Sequence, residues 1–134
     1  MRPGTLHIMT PEIPLAFCTV LGVLAVFQLL LIIGLPFGRF AWGGQNPVLS
    51  ARQRVGSAVS IVVYAAFALV ALERGALISI FPAPLVAVVA MWVIAAYLLL
   101  SVLPNLASKS KYERRVMVPV SLVLAGLAFV VALS

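Results

Sequence analysis

Few residues in this chain could do chemistry. The only histidine is His7, the only cysteine is Cys18, and the acidic side chains are Glu12, Glu73 and Glu113. A lone cysteine outside any CxxC pair permits neither an intramolecular disulfide nor dithiol exchange. A lone histidine excludes a haem held by two imidazoles of one chain. With no carboxylate pair, no metal-ligand spacing and no Walker or GxGxxG loop, no catalytic residue, cofactor or metal is expected, and the chain reads as non-enzymatic. What remains is hydrogen bonding by neutral groups, and five of these stand out: Gln28, Ser60, Tyr64, Tyr97 and Ser121.

The elements that must position them follow from composition. Of the 134 residues, 64% are hydrophobic and 9% charged, against roughly a quarter charged in a soluble domain. Neither a water-soluble globule nor a disordered chain has that balance. Four uncharged apolar stretches, Leu15 to Leu35, Val55 to Leu72, Leu85 to Leu103 and Val116 to Leu133, would each span roughly 27 to 32 Å as helices, the thickness of a bilayer core. The expected fold is all-α: one transmembrane domain over residues 1–134, an integral membrane four-helix bundle. The first stretch is too long for the apolar part of a secretory signal and no small-x-small site follows it, so it reads as a retained span.

Charge orients the spans. One side of a four-span chain carries Arg2 and Arg74; the other carries Arg39, Arg52, Arg54, Lys109, Lys111, Arg114 and Arg115. The positive-inside rule places the second set in the cytoplasm and both termini outside. Ser50-Ala51-Arg52-Gln53 and Ser110-Lys111-Tyr112-Glu113 both fit the capping box, which predicts that the second and fourth helices start just after Ser50 and Ser110. The arginines that follow sit where the helix dipole disfavours cations, by roughly 0.3 to 1 kcal/mol each. Anionic headgroups, at about 1 kcal/mol per basic residue, offset that.

Counted from the cytoplasmic ends, Gln28, Ser60, Tyr97 and Ser121 lie roughly 7 to 11 Å deep and Tyr64 about 13 Å, so all four helices feed one polar layer. The outer half offers little beyond Cys18, Thr19 and Trp92. Two readings of the layer stand side by side: a cavity open to the cytoplasm, or interhelical hydrogen bonds at about 0.6 kcal/mol each. No ionisable residue lies well inside a span, which argues against proton-coupled transport. Glu73 reads as an interfacial carboxylate beside Arg74. Small residues at helical spacing, Gly56/Ser60/Ala68, Cys18/Gly22/Ala25 and Ser121/Ala125/Ala128/Ala132, predict close helix seams, and Pro119 predicts a kink.

The first basic loop, from Phe37 to Pro47, has the aromatic and arginine content of an interfacial belt and is expected to lie on the membrane surface, with a loop folded back onto the bundle as the alternative. The second, Ser108 to Arg115, is polybasic. Together they nominate Arg39, Trp42, Arg52, Arg54, Lys109, Lys111, Arg114 and Arg115 as contacts for lipid headgroups or a partner. The partners expected are a bilayer with anionic headgroups and, as an open possibility, another membrane protein or a second copy; nucleic acid is not expected.

The halves share a pattern: Arg54-Val55-Gly56-Ser57-Ala58-Val59-Ser60-Ile61-Val62 aligns with Arg115-Val116-Met117-Val118-Pro119-Val120-Ser121-Leu122-Val123, and Leu35-Pro36 and Leu103-Pro104 each close the helix before. Two parallel hairpins related by duplication would give it, as would coincidence among Val-rich spans. From Leu35 onward, Ala41-Trp42-Gly43-Gly44, Arg54-Val55-Gly56-Ser57, Asn105 and Ser108-x-Ser110-x-x-Glu113-Arg114-x-x-Met117-x-Pro119 resemble the pattern of a group of small four-span membrane proteins of bacteria. That group has no established activity to carry over. The resemblance implies a bacterial cytoplasmic (inner) membrane and a use for the loop residues beyond hydropathy. Three functions are consistent with the sequence. A non-enzymatic protein contacting lipid or a partner at the cytoplasmic face fits best. A small oligomeric transporter of a neutral or amphiphilic solute, using the polar layer, is the alternative. A headgroup enzyme with Glu113 as base has least behind it, because a carboxylate in a capping box already has a structural role.

Overall fold

A computed structural model describes residues 11–134; Arg2 and His7 lie outside the described residues. The described chain forms four helices, α1 (Glu12–Ile32), α2 (Ala51–Arg74), α3 (Pro84–Leu106) and α4 (Lys111–Leu133), with two 3-10 turns at Gly38–Phe40 and Trp42–Gly44. All four are long and apolar enough to cross a membrane. The protein is a multi-pass membrane four-helix bundle.

Local chemistry sets the helix ends. Ser50 accepts from Gln53 N and the Gln53 side chain accepts from Ser50 N, so α2 opens with a complete capping box. Pro84 opens α3, where its missing N–H costs nothing. The first span starts and stops three residues earlier than hydropathy predicts. Glu12 stands in its first turn, where the dipole favours a carboxylate. At its far end Gly34, at φ 103°, lets Leu35 N reach Leu30 O and Gly34 N reach Leu31 O, a Schellman stop. The third span runs past Leu103 through Pro104 to Leu106, so Pro104 does not close the helix. Likewise α4 continues unbroken through Pro119.

Consecutive helices pack as neighbours, α1 most closely on α2 and α3 on α4, and α1 against α4 closes the ring. The seam Ser121, Ala125, Ala128 and Ala132 is buried, as small residues between close helices should be. Cys18 Sγ donates to Ala68 O across the α1–α2 seam. Gly22 departs from its predicted seam: it is exposed, and nothing lies within 4 Å of where its Cβ would be.

The two ends of the bundle differ. Toward the end holding residues 75–83 and Ser134, Phe17, Leu21, Ala71, Met91, Ala128 and Val131 make a dry core, each 0% or 1% exposed. At the end holding residues 33–50 and 107–110, called the basic end below, only Leu31, Ala41 and Leu49 form a small second cluster. The space between the two clusters is not filled.

Candidate functional site

The first loop folds onto the basic end instead of lying flat as an anchor. Gly38 N donates to Pro47 O at 2.8 Å, and the chain crosses itself so closely there that a Cβ on Gly38 would stand 1.8 Å from Asn46 O. Asn46 donates to Gln53 at 3.0 Å, tying the loop to the α2 cap. Trp42 then turns inward at φ 54°, a conformation that bulky residues rarely hold. Its indole N–H donates to Ser57 Oγ at 3.3 Å and its ring lies over Gly56, where a Cβ would come within 2.5 Å. The expectation of a surface-lying belt is therefore corrected for Phe40 to Trp42. What decides it is the missing side chain of Gly56, which provides the seat for the indole.

Beneath this loop lies a cavity of about 520 Å³, within the range of roughly 300 to 1,000 Å³ typical of ligand pockets. The structure brings Gln28, Ser60, Tyr64, Tyr97 and Ser121 together along its wall. Phe27, Phe40, Trp42 and Phe67 add aromatic faces. Along α2 the lining runs from Gly56 to Phe67, roughly 16 Å of helix, and stops at the dry core. Tyr97, 57% exposed, stands edge-to-face with Phe67 at 5.8 Å, so the cavity reaches the outer surface of the bundle.

Hydrogen bonding within the layer is mostly local. Ser60 donates to Gly56 O at 3.0 Å, Ser101 to Leu98 O and Ser121 to Met117 O, both at 2.6 Å. Such bonds satisfy a hydroxyl within its own helix and tie no helices together. Between helices, Asn105 donates to Ser121, and the Gln28 amide lies beside the Tyr64 hydroxyl. Gln28 Oε1 is buried and accepts nothing. The layer therefore retains acceptor capacity that interhelical bonding alone would have used.

Sequence reasoning missed Ser101, Asn105 and Phe40, which also line the cavity, and misplaced Glu113. Ser110 accepts from Glu113 N at 3.3 Å, so half of the predicted capping box forms at α4. The returning half does not. Ser110 N donates instead to Ser108 Oγ at 3.1 Å, and Ser110 Oγ donates to Arg39 O. With its expected donor taken, Glu113 lines the cavity and is 8% exposed. Among the described residues nothing donates to its carboxylate and no cation pairs with it. Glu73, at the other end, contrasts with it: its carboxylate accepts from Ile80 N at 2.6 Å and Phe81 N at 2.9 Å, pinning the α2–α3 loop.

Of the predicted headgroup contacts, Trp42 lines the cavity and the basic residues do not. Arg39 stands over the Phe40 and Tyr112 rings at 5.3 and 5.0 Å, and Lys111 over Tyr112 at 5.3 Å. Arg54 donates to Leu49 O at 3.0 Å and Arg114 to Ser108 O. Arg52, Lys109 and Arg115 are exposed. Among the described residues no group of three or more His, Cys, Asp or Glu comes together. Comparison with protein-family models, curated proteins and solved structures finds no match to the chain, so the resemblance of its loops to small bacterial four-span proteins rests on those motifs alone.

Proposed function

We propose that this is a non-enzymatic protein of a bacterial inner membrane, with both termini outside, that holds an amphiphilic small molecule or lipid in the cavity at its cytoplasmic, basic end. One observation carries the reading: side chains from all four helices and from the folded-back loop converge on a single cavity that combines aromatic walls with unused hydrogen-bond capacity. An amphiphile suits such a lining, its tail along Phe27, Phe67 and Leu124 and its head near the loops. Binding is favoured over transport because the dry core from Phe17 to Val131 closes the other half of the bundle.

Native mass spectrometry of the protein released from membranes in mild detergent tests the reading. Wild type should retain a small amphiphile or a stoichiometric lipid, and Ser60→Phe, which fills the cavity, should lose it. Equal retention in both, or none in either, would contradict the proposal. Orientation is tested with single cysteines in a Cys18→Ser background, at the exposed positions Gln45 and Ser79. A membrane-impermeant thiol reagent on intact cells should label position 79 and spare 45; the reverse pattern would place the basic end outside.

A further inference from the structure

We infer that the head of the bound amphiphile carries a positive ammonium group and that Glu113 is its counter-ion. This rests on the binding role proposed above and narrows it to one class of ligand. Among the described residues Glu113 is the only charged one lining the cavity, it is 8% exposed, and it has neither a donor nor a cation from them. A carboxylate left so is costly unless something pairs with it. Its place in the first turn of α4 gives part of that compensation through the helix dipole, but the hydrogen-bond sites on its oxygens stay open.

Cations are not lacking around Glu113. Arg39, whose carbonyl accepts from Ser110, and Arg114, the next residue in the chain, are close by, yet each is engaged elsewhere, on aromatic rings or on the Ser108 carbonyl. Ser108 further removes the backbone donor that the capping motif would have offered. A neutral head could hydrogen-bond Glu113 but would leave its charge uncompensated, and an anionic head would be repelled. A divalent cation needs six or more oxygen ligands, which one carboxylate does not approach. An ammonium group answers both features of the lining: charge-assisted bonds to the carboxylate, and cation–π contact with rings such as Phe40 and Trp42. Gln28 Oε1 is a further open acceptor deeper in the cavity.

The ammonium could belong to a lipid headgroup or to a soluble amphiphile, and the test separates these. The full chain carries two tryptophans, so Trp92→Phe leaves Trp42 as a reporter in the cavity wall. Purified in maltoside detergent, the protein is titrated with dodecylammonium, dodecanol, dodecyl sulfate and a short-chain phosphatidylethanolamine, reading Trp42 emission. Dodecylammonium should bind more tightly than dodecanol or dodecyl sulfate. Glu113→Gln should weaken it about tenfold or more, as expected when one charged partner of a hydrogen-bonded pair is lost. Glu73→Gln should change nothing, and Glu113→Asp should keep part of the preference. Phosphatidylethanolamine binding that also depends on Glu113 assigns the lipid source; dependence with dodecylammonium alone assigns a soluble cation. Equal dodecylammonium affinity in wild type and Glu113→Gln overturns the inference while leaving amphiphile binding intact. No response of Trp42 to any probe overturns both.

Discussion

Two junctions in this protein begin with the same instruction and end differently. Ser50-x-x-Gln53 and Ser110-x-x-Glu113 each introduce a membrane-crossing helix with a capping serine, and in each the serine accepts from the N–H three residues on. At the first, the side chain at the third position returns to the serine N–H and closes the box. At the second, that N–H is held by Ser108, and the side chain is released into a cavity. A capping motif thus states what the backbone needs, not which neighbour meets the need. Where an upstream hydroxyl meets it first, a carboxylate becomes available for something else.

The largest test of this asymmetry lies where the same loop, tied to the first junction through Asn46, packs its Gly44 turn against the second. Gly44 sits at φ 72° with its missing Cβ 2.6 Å from Ser110 Cβ, so Gly44→Ala should cost about 2 to 3 kcal/mol through overpacking and left-handed strain, read as a fall in thermal unfolding temperature in detergent. Next, Ser110→Ala should cost about 2 kcal/mol against about 1 for Ser50→Ala, because Ser110 both caps α4 and holds the Arg39 carbonyl. Equal losses would mean that the loop contact contributes nothing. Gln53→Ala should then lose roughly 0.5 to 1 kcal/mol with its two hydrogen bonds, whereas Glu113→Gln should leave stability unchanged or raise it, since it removes an unpaired buried charge. The smallest loss belongs to Ser108→Ala. It should shift stability by only about 0.5 kcal/mol, because Glu113 can swing back to the freed Ser110 N–H, yet it should weaken dodecylammonium binding for the same reason.

How far the sequence foretells this depends on the range of each interaction. Helix starts after Ser50 and Ser110 are legible because a cap is decided within four residues. The polar layer is legible because helical rise converts sequence position into depth, and Gln28, Ser60, Tyr64, Tyr97 and Ser121 do share one cavity. The fold-back of the first loop is legible only as the less favoured alternative to a surface belt. It depends on Gly38 passing the Asn46 carbonyl and on Gly56 receiving Trp42, contacts between positions that local patterns do not connect. The fate of Glu113 falls between these: Ser108 stands in plain view, but whether its hydroxyl reaches Ser110 N is a matter of loop geometry. Seams fail in a similar way at Gly22, where helical spacing is right but no neighbour arrives.

The central claim is that Glu113 presents an open carboxyl group inside a cavity built to hold an ammonium-bearing amphiphile. Its most direct test uses wild-type protein purified in detergent, stripped of bound amphiphile and treated at mildly acid pH with dicyclohexylcarbodiimide, which adds covalently to accessible protonated carboxyl groups, followed by peptide mapping of Glu12, Glu73 and Glu113. The account predicts an adduct on Glu113 that dodecylammonium suppresses and dodecanol does not. An unmodified Glu113, or one labelled equally with and without dodecylammonium, would contradict it.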